Sequence, residues 1–123
     1  SLRVDPPLTY LLRQCTEDVR IDDTDLGEGT NVAFGLAAAN RDEQVFDRPD
    51  EFDLRRPNVR SHLAFGDGPH ICPGAALARL EARVAIEVLL ERVQTMTLDP
   101  SFRYEKTPVP FTNGPVSLPV HVT

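Results

Sequence analysis

One stretch of this 123-residue chain concentrates the residue types that can do chemistry: His62-Leu63-Ala64-Phe65-Gly66-Asp67-Gly68-Pro69-His70-Ile71-Cys72-Pro73-Gly74. A glycine-rich loop delivers a single cysteine to the start of an Ala- and Leu-rich segment. A thiolate is favoured at such a point, because free amide N–H groups and the positive end of a helix dipole stabilise the anion, and the thiolate is the form that ligates metal. Glycines let the backbone approach a flat ligand closely, and an aromatic at Phe65 can shield the sulfur. Cys72 is thus the candidate metal ligand. The second cysteine, Cys15, has no histidine or cysteine near it in sequence and reads as a structural residue.

Other readings of the same residue types fail on spacing. Gly66-x-Gly68 invites a dinucleotide loop, but the sixth position is Ile71 and no strand clearly precedes it. Asp22-Asp23-Thr24-Asp25 with Gly27 lacks ligands at alternate positions and a Glu at the twelfth, so it reads as an acidic turn, not a calcium loop. A small zinc or thiol redox domain is disfavoured by the isolation of Cys72.

The elements that must position Cys72 follow from periodicity. A helix is predicted over Ala75–Arg92, where Leu77, Leu80, Val84 and Val88 recur at three- and four-residue spacing and Ala85 and Leu89 widen the apolar face. That face should pack against a core. Upstream, residues 8–12 and 18–21 read as two short strands before a turn-rich run at 22–29, and residues 31–39 as a buried strand running into a short helix. Residues 44–69 carry loop chemistry over a long span, which is usually functional. Residues 95–98, 102–104 and 116–122 read as short strands separated by Pro100, Pro108, Pro110 and Asn113-Gly114. Ser1-Leu2-Arg3, with no initiator Met, reads as the end of a helix cut before Pro6-Pro7, so the chain is expected to be a fragment.

Composition bounds the partners. Apolar residues make up 41%, enough for one globular domain, and net charge is −6 with no basic stripe for a phosphate backbone, so nucleic acid is not an expected partner. No apolar run approaches the roughly 20 residues that span a bilayer, which leads to the expectation of no membrane partner and a cytoplasmic location.

Phe65, Gly68, Cys72 and Gly74 fill every fixed position of F-x-x-G-x-x-x-C-x-G, the haem signature of the cytochrome P-450 family. Ala76-Leu77-Ala78-Arg79-Leu80-Glu81 is similar to the start of the helix that follows the cysteine in bacterial members, and Ala38-Ala39-Asn40-Arg41-Asp42 to a segment upstream in them. Leu2-Arg3 before Pro6-Pro7 is similar to the end of the family's E-x-x-R helix. On these residues nearly the whole chain resembles the C-terminal, haem-holding portion of a bacterial-type cytochrome P-450 monooxygenase.

The resemblance implies an α+β piece of the mainly α cytochrome P-450 fold, with residues 1–123 as its haem-binding portion. It implies haem b as cofactor, Cys72 as axial iron ligand and catalytic residue, and Phe65, Gly66, Gly68, His70, Cys72, Gly74 and Arg13 as its binding residues. His70 and Arg13 match positions that pair with haem propionates. Arg3 and Arg56 match the arginines of a Glu-Arg-Arg network whose Glu would precede Ser1, so both are expected to lack their carboxylate. Arg79 matches a position on the face where a ferredoxin-type or flavoprotein electron donor docks. The implied activity is insertion of one atom of O₂ into a small apolar substrate; the alternative is a truncated remnant that at most binds haem. Pro73 stands where the family more often has a larger aliphatic, and Pro is tolerated at a helix start.

Overall fold

Asp5 N–H donates to the Ser1 carbonyl at 2.9 Å, closing one helical turn before Pro6 and Pro7, which lack N–H groups and cannot extend it. The computed structural model describes residues 1–123. It divides into two units, Ser1–Ala64 with Val109–Asn113, and Phe65–Pro108 with Gly114–Thr123.

The first unit holds β1 (Leu11–Gln14), β2 (Val19–Ile21), β3 (Thr24–Leu26), β4 (Asn31–Phe34) and the one-turn helix α1 (Leu36–Ala39). β1 pairs antiparallel with β4, Leu11 opposite Phe34 and Gln14 opposite Asn31. Cys15 N–H to the Thr30 carbonyl (2.9 Å) and Gly29 N–H to the Cys15 carbonyl (2.8 Å) extend the ladder. β2 and β3 form a tight hairpin around Asp22-Asp23. Asp22 takes the left-handed turn conformation at φ 49°, which a short polar side chain tolerates.

Several expectations shift here. The first strand falls at Leu11–Gln14 instead of residues 8–12, with Leu8 making only an isolated bridge to Thr112. The turn-rich run at 22–29 contains β3, because Asp22-Asp23 alone suffices to reverse the chain. β4 is not buried, since Phe34 is 50% exposed. The long loop before the cysteine carries two single 3₁₀ turns, Val59–Ser61 and Gly68–His70. The interior of this unit gathers Leu36, Phe46, Ala64 and Pro6 around three polar residues, Arg3, Asn40 and Arg56.

The second unit holds α2 (Ala75–Arg92), β5 (Met96–Leu98) and β6 (Val120–Val122), the two strands antiparallel with Met96 opposite Val122. The helix takes the bounds its periodicity predicts. Its apolar face does not pack as expected: Leu77 is 59% exposed, Leu80 56%, and only Ala75 of the helix is buried. The strand predicted at residues 102–104 does not form. The segment facing it carries Pro115 and Pro119, which cannot donate to a ladder, leaving one bridge between Lys106 and Pro115, with bonds from Thr107 N–H to the Gly114 carbonyl and from Val116 N–H to the Glu105 carbonyl. Pro119 likewise confines the last strand to Val120–Val122. No helix is long and apolar enough to cross a membrane.

Candidate functional site

The cysteine loop is built by two left-handed glycines and one cross-loop bond. Gly66 (φ 73°) and Gly68 (φ 70°) occupy backbone conformations that cost any residue with a Cβ. They bend residues 65–71 so that Cys72 N–H donates to the Phe65 carbonyl at 2.8 Å. The cysteine and the aromatic seven residues before it are thereby pinned together. Ile71 N–H closes the 3₁₀ turn on the Gly68 carbonyl at 3.1 Å.

Past the cysteine the chain turns directly into α2. Ala75 N–H donates to the Cys72 carbonyl at 3.2 Å, and Ala78 N–H to the Gly74 carbonyl at 2.9 Å. Gly74 is the N-cap and brings no capping side chain. A Cβ at Gly74 would lie 3.8 Å from Cys72 Sγ, so larger side chains there would crowd the sulfur. Cys72 is a free, exposed thiol. His70, at the end of the 3₁₀ turn, is also exposed, and its imidazole is hydrogen-bonded to nothing in the chain.

Nowhere do three or more His, Cys, Asp or Glu gather as metal ligands. The donor set around Cys72 is one soft thiol offered from a shallow loop. Such a set fits an iron whose remaining positions are filled largely by a macrocycle, and Gly66, Gly68 and Gly74 leave the loop without side chains that would hold a flat group away.

Arg79, one turn into α2, places its guanidinium carbon 4.5 Å from the centroid of the Phe65 ring and donates from Nη1 to the Ala75 carbonyl at 3.4 Å. Phe65, Gly66, Gly68, His70, Cys72, Gly74 and Arg79 thus all lie in the second unit. Arg13 belongs to the first, on β1 opposite Val32, where it is exposed and donates only to the adjacent Leu12 carbonyl at 2.8 Å.

Arg3 and Arg56 are buried, at 4% and 7% exposure, and backbone carbonyls accept from the terminal nitrogens of both, while the buried Arg56 Nε has no hydrogen-bond partner. Arg3 donates to the carbonyls of Asn40 (2.8 Å) and Glu51 (2.9 Å) and lies over the Phe46 ring. Arg56 donates to the carbonyls of Asp47, Arg48 and Glu51. Burial, and then the neighbouring charges of Arg56 and Arg41, hold the Arg3 guanidinium below the usual arginine range. Sequence reasoning assigned no role to Asn40. It is fully buried, and its Oδ1 accepts the Leu63 N–H at 2.6 Å, two residues before Phe65. The available signal was an Asn closing an Ala-rich run.

A family model described as Cytochrome P450 matches residues 1–116. Among curated relatives, cytochrome P450(MEG) of Priestia megaterium is 41% identical over 99 residues, 80% of this chain and 24% of that protein. The biotin biosynthesis cytochrome P450 of Bacillus subtilis (strain 168) is 44% identical over 105 residues, 84% of this chain and 26% of that protein. Among solved structures, cytochrome P450 CYP150A6 of Mycobacterium marinum superposes with a TM-score of 0.94 at 36% identity, covering 99% of this chain and 32% of that one. P450BioI in complex with a fatty-acid-ligated acyl carrier protein superposes at 0.89 with 38% identity, covering 99% of this chain and 31% of that one. The chain spans about a quarter of the length of these curated relatives and about a third of these structures. With a family model matched over nearly all of its length and a fold that superposes on solved members, the chain belongs to the cytochrome P450 family.

Proposed function

We propose that residues 1–123 are the haem-binding portion of a haem-thiolate monooxygenase, with Cys72 as axial ligand to the iron of haem b. The observation that carries this reading is the exposed Cys72 thiol, tied through its N–H to the Phe65 carbonyl behind two left-handed glycines. When bound, haem supplies the O₂ chemistry, and a thiolate ligand favours O–O cleavage. The chain's own residues hold and shield it. Gly66, Gly68 and Gly74 keep the loop surface low, and Phe65 covers the sulfur. His70 and Arg13, both exposed, offer donors to the propionates. Arg79 presents a cation on α2 to an acidic ferredoxin-type or flavoprotein donor. The substrate is a small apolar molecule, and the location is cytoplasmic.

The test is the absorption spectrum of the reduced, carbon monoxide-bound protein, in which thiolate ligation gives a strongly red-shifted Soret band. Cys72→Ser removes that band and Cys15→Ser leaves it. Equal loss in both rejects the assignment. The exposed leucines and valines of α2 favour a second reading in which the chain by itself holds haem and catalyses nothing. Product formation coupled to electron consumption by the isolated chain would reject that reading.

A further inference from the structure

We infer that Arg79 is a positioning residue for the thiolate: its guanidinium stacks on the Phe65 ring and holds that ring in place beside Cys72. The inference rests on the reading of Cys72 as the iron ligand and adds to it a residue that touches neither iron nor sulfur.

Three connections carry it. The Arg79 guanidinium carbon lies 4.5 Å from the Phe65 ring centroid, within the range where a cation is attracted to an aromatic face. The second is the bond from Arg79 Nη1 to the Ala75 carbonyl at 3.4 Å, which anchors the guanidinium to the first residue of α2. Finally, Cys72 N–H donates to the Phe65 carbonyl at 2.8 Å, so ring and thiol share one backbone link. Arg79, Phe65 and Cys72 thus close a circuit from helix to ring to loop and back to the helix start.

The setting of Arg79 differs from that of the arginines that pair with acidic side chains. Arg20, Arg41, Arg48 and Arg83 each reach a carboxylate within 4.0 Å, in a chain with 19 acidic residues. Arg79 has the ring and the carbonyl instead. Its planar guanidinium can stack and donate at once, which a lysine ammonium cannot do in the same geometry. Phe65 follows the buried Ala64 and precedes the left-handed Gly66, and it is itself only half-buried. A half-buried ring is held more firmly when a cation stacks on its face, and Arg79 supplies that stack.

The test uses the haem-loaded protein with a chemical reductant, so that docking of a protein donor does not enter. The readout is the rate at which the reduced carbon monoxide complex loses its red-shifted Soret band at fixed temperature. Arg79→Leu is expected to speed that loss several-fold, and Arg79→Lys to fall between it and the parent. In a Phe65→Leu background, Arg79→Leu adds nothing further, because the ring it covers is gone. Additive effects of the two substitutions overturn the inference while leaving Cys72 as ligand. Lack of the red-shifted band in the unsubstituted protein overturns the ligand reading, and this inference with it.

Discussion

Arg3 and Arg56 both donate into the carbonyl of Glu51, at 2.9 and 3.4 Å. Two buried cations meet on one backbone oxygen, and neither hydrogen-bonds a carboxylate. The planar fork of Arg56 serves three carbonyls from one side chain. Lysine can supply the charge but not that spread of donors. Arg56→Lys should therefore lower stability by about 1–3 kcal/mol through unpaired buried carbonyls, read as a drop in thermal midpoint at unchanged net charge.

Asn40 couples α1 to the start of the cysteine loop through its Oδ1 and the Leu63 N–H. Asn40→Ala strands that N–H in the interior at a cost of about 1–3 kcal/mol. Amide exchange at Leu63 should accelerate by more than at Val32 and Ala33 in β4, which measures a local effect against a global one.

Gly68 has φ 70° and nothing within 4 Å of where a Cβ would stand. A substitution there meets open space, so its cost is backbone conformation alone. Gly68→Ala should lose about 1–2 kcal/mol in denaturant unfolding, and Gly68→Asn less, because Asn enters the left-handed region more readily. Equal losses for the two would point to a steric cause.

Asp99 accepts from the Ser101 hydroxyl (2.6 Å) and the Ser101 N–H (2.8 Å), and lies 3.2 Å from His121 Nε2. Together these hold its carboxyl below the usual aspartate range, Ser101 first. Because the folded-state value is depressed, the stabilisation is present above the ordinary aspartate pKa and is lost as pH falls through the folded value. Ser101→Ala should raise the Asp99 midpoint towards that of a free aspartate in an NMR titration. An unmoved midpoint would assign the depression to the Ser101 backbone N–H and His121.

The parts of the fold legible in the sequence are those fixed by neighbours along the chain. The bounds of α2 follow from Ala, Leu, Glu and Arg at helical spacing, and the cysteine loop from Gly66, Gly68, Cys72 and Gly74 at set intervals. Burial was not legible. Leu77, Leu80 and Val84 have the spacing of a core face, yet burial depends on what stands opposite, and in this chain they meet solvent. Asn40 escaped notice because its partner lies 23 residues away. Arg79 was read as a docking charge, since no spacing rule couples it to a ring 14 positions earlier on the far side of the loop.

The exposed face of α2 bears on the calorimetry of the chain. Heat capacity rises on unfolding in proportion to the apolar surface newly wetted, which for an ordinary domain of this length is about 1.5–1.8 kcal/mol/K. Here the leucines and valines of an 18-residue helix are already wet in the folded state, and the buried apolar side chains reduce to Leu36, Phe46, Ala64, Ala75 and Pro6. The step in heat capacity for this chain should fall short of that range, and its stability curve should be correspondingly flat with temperature.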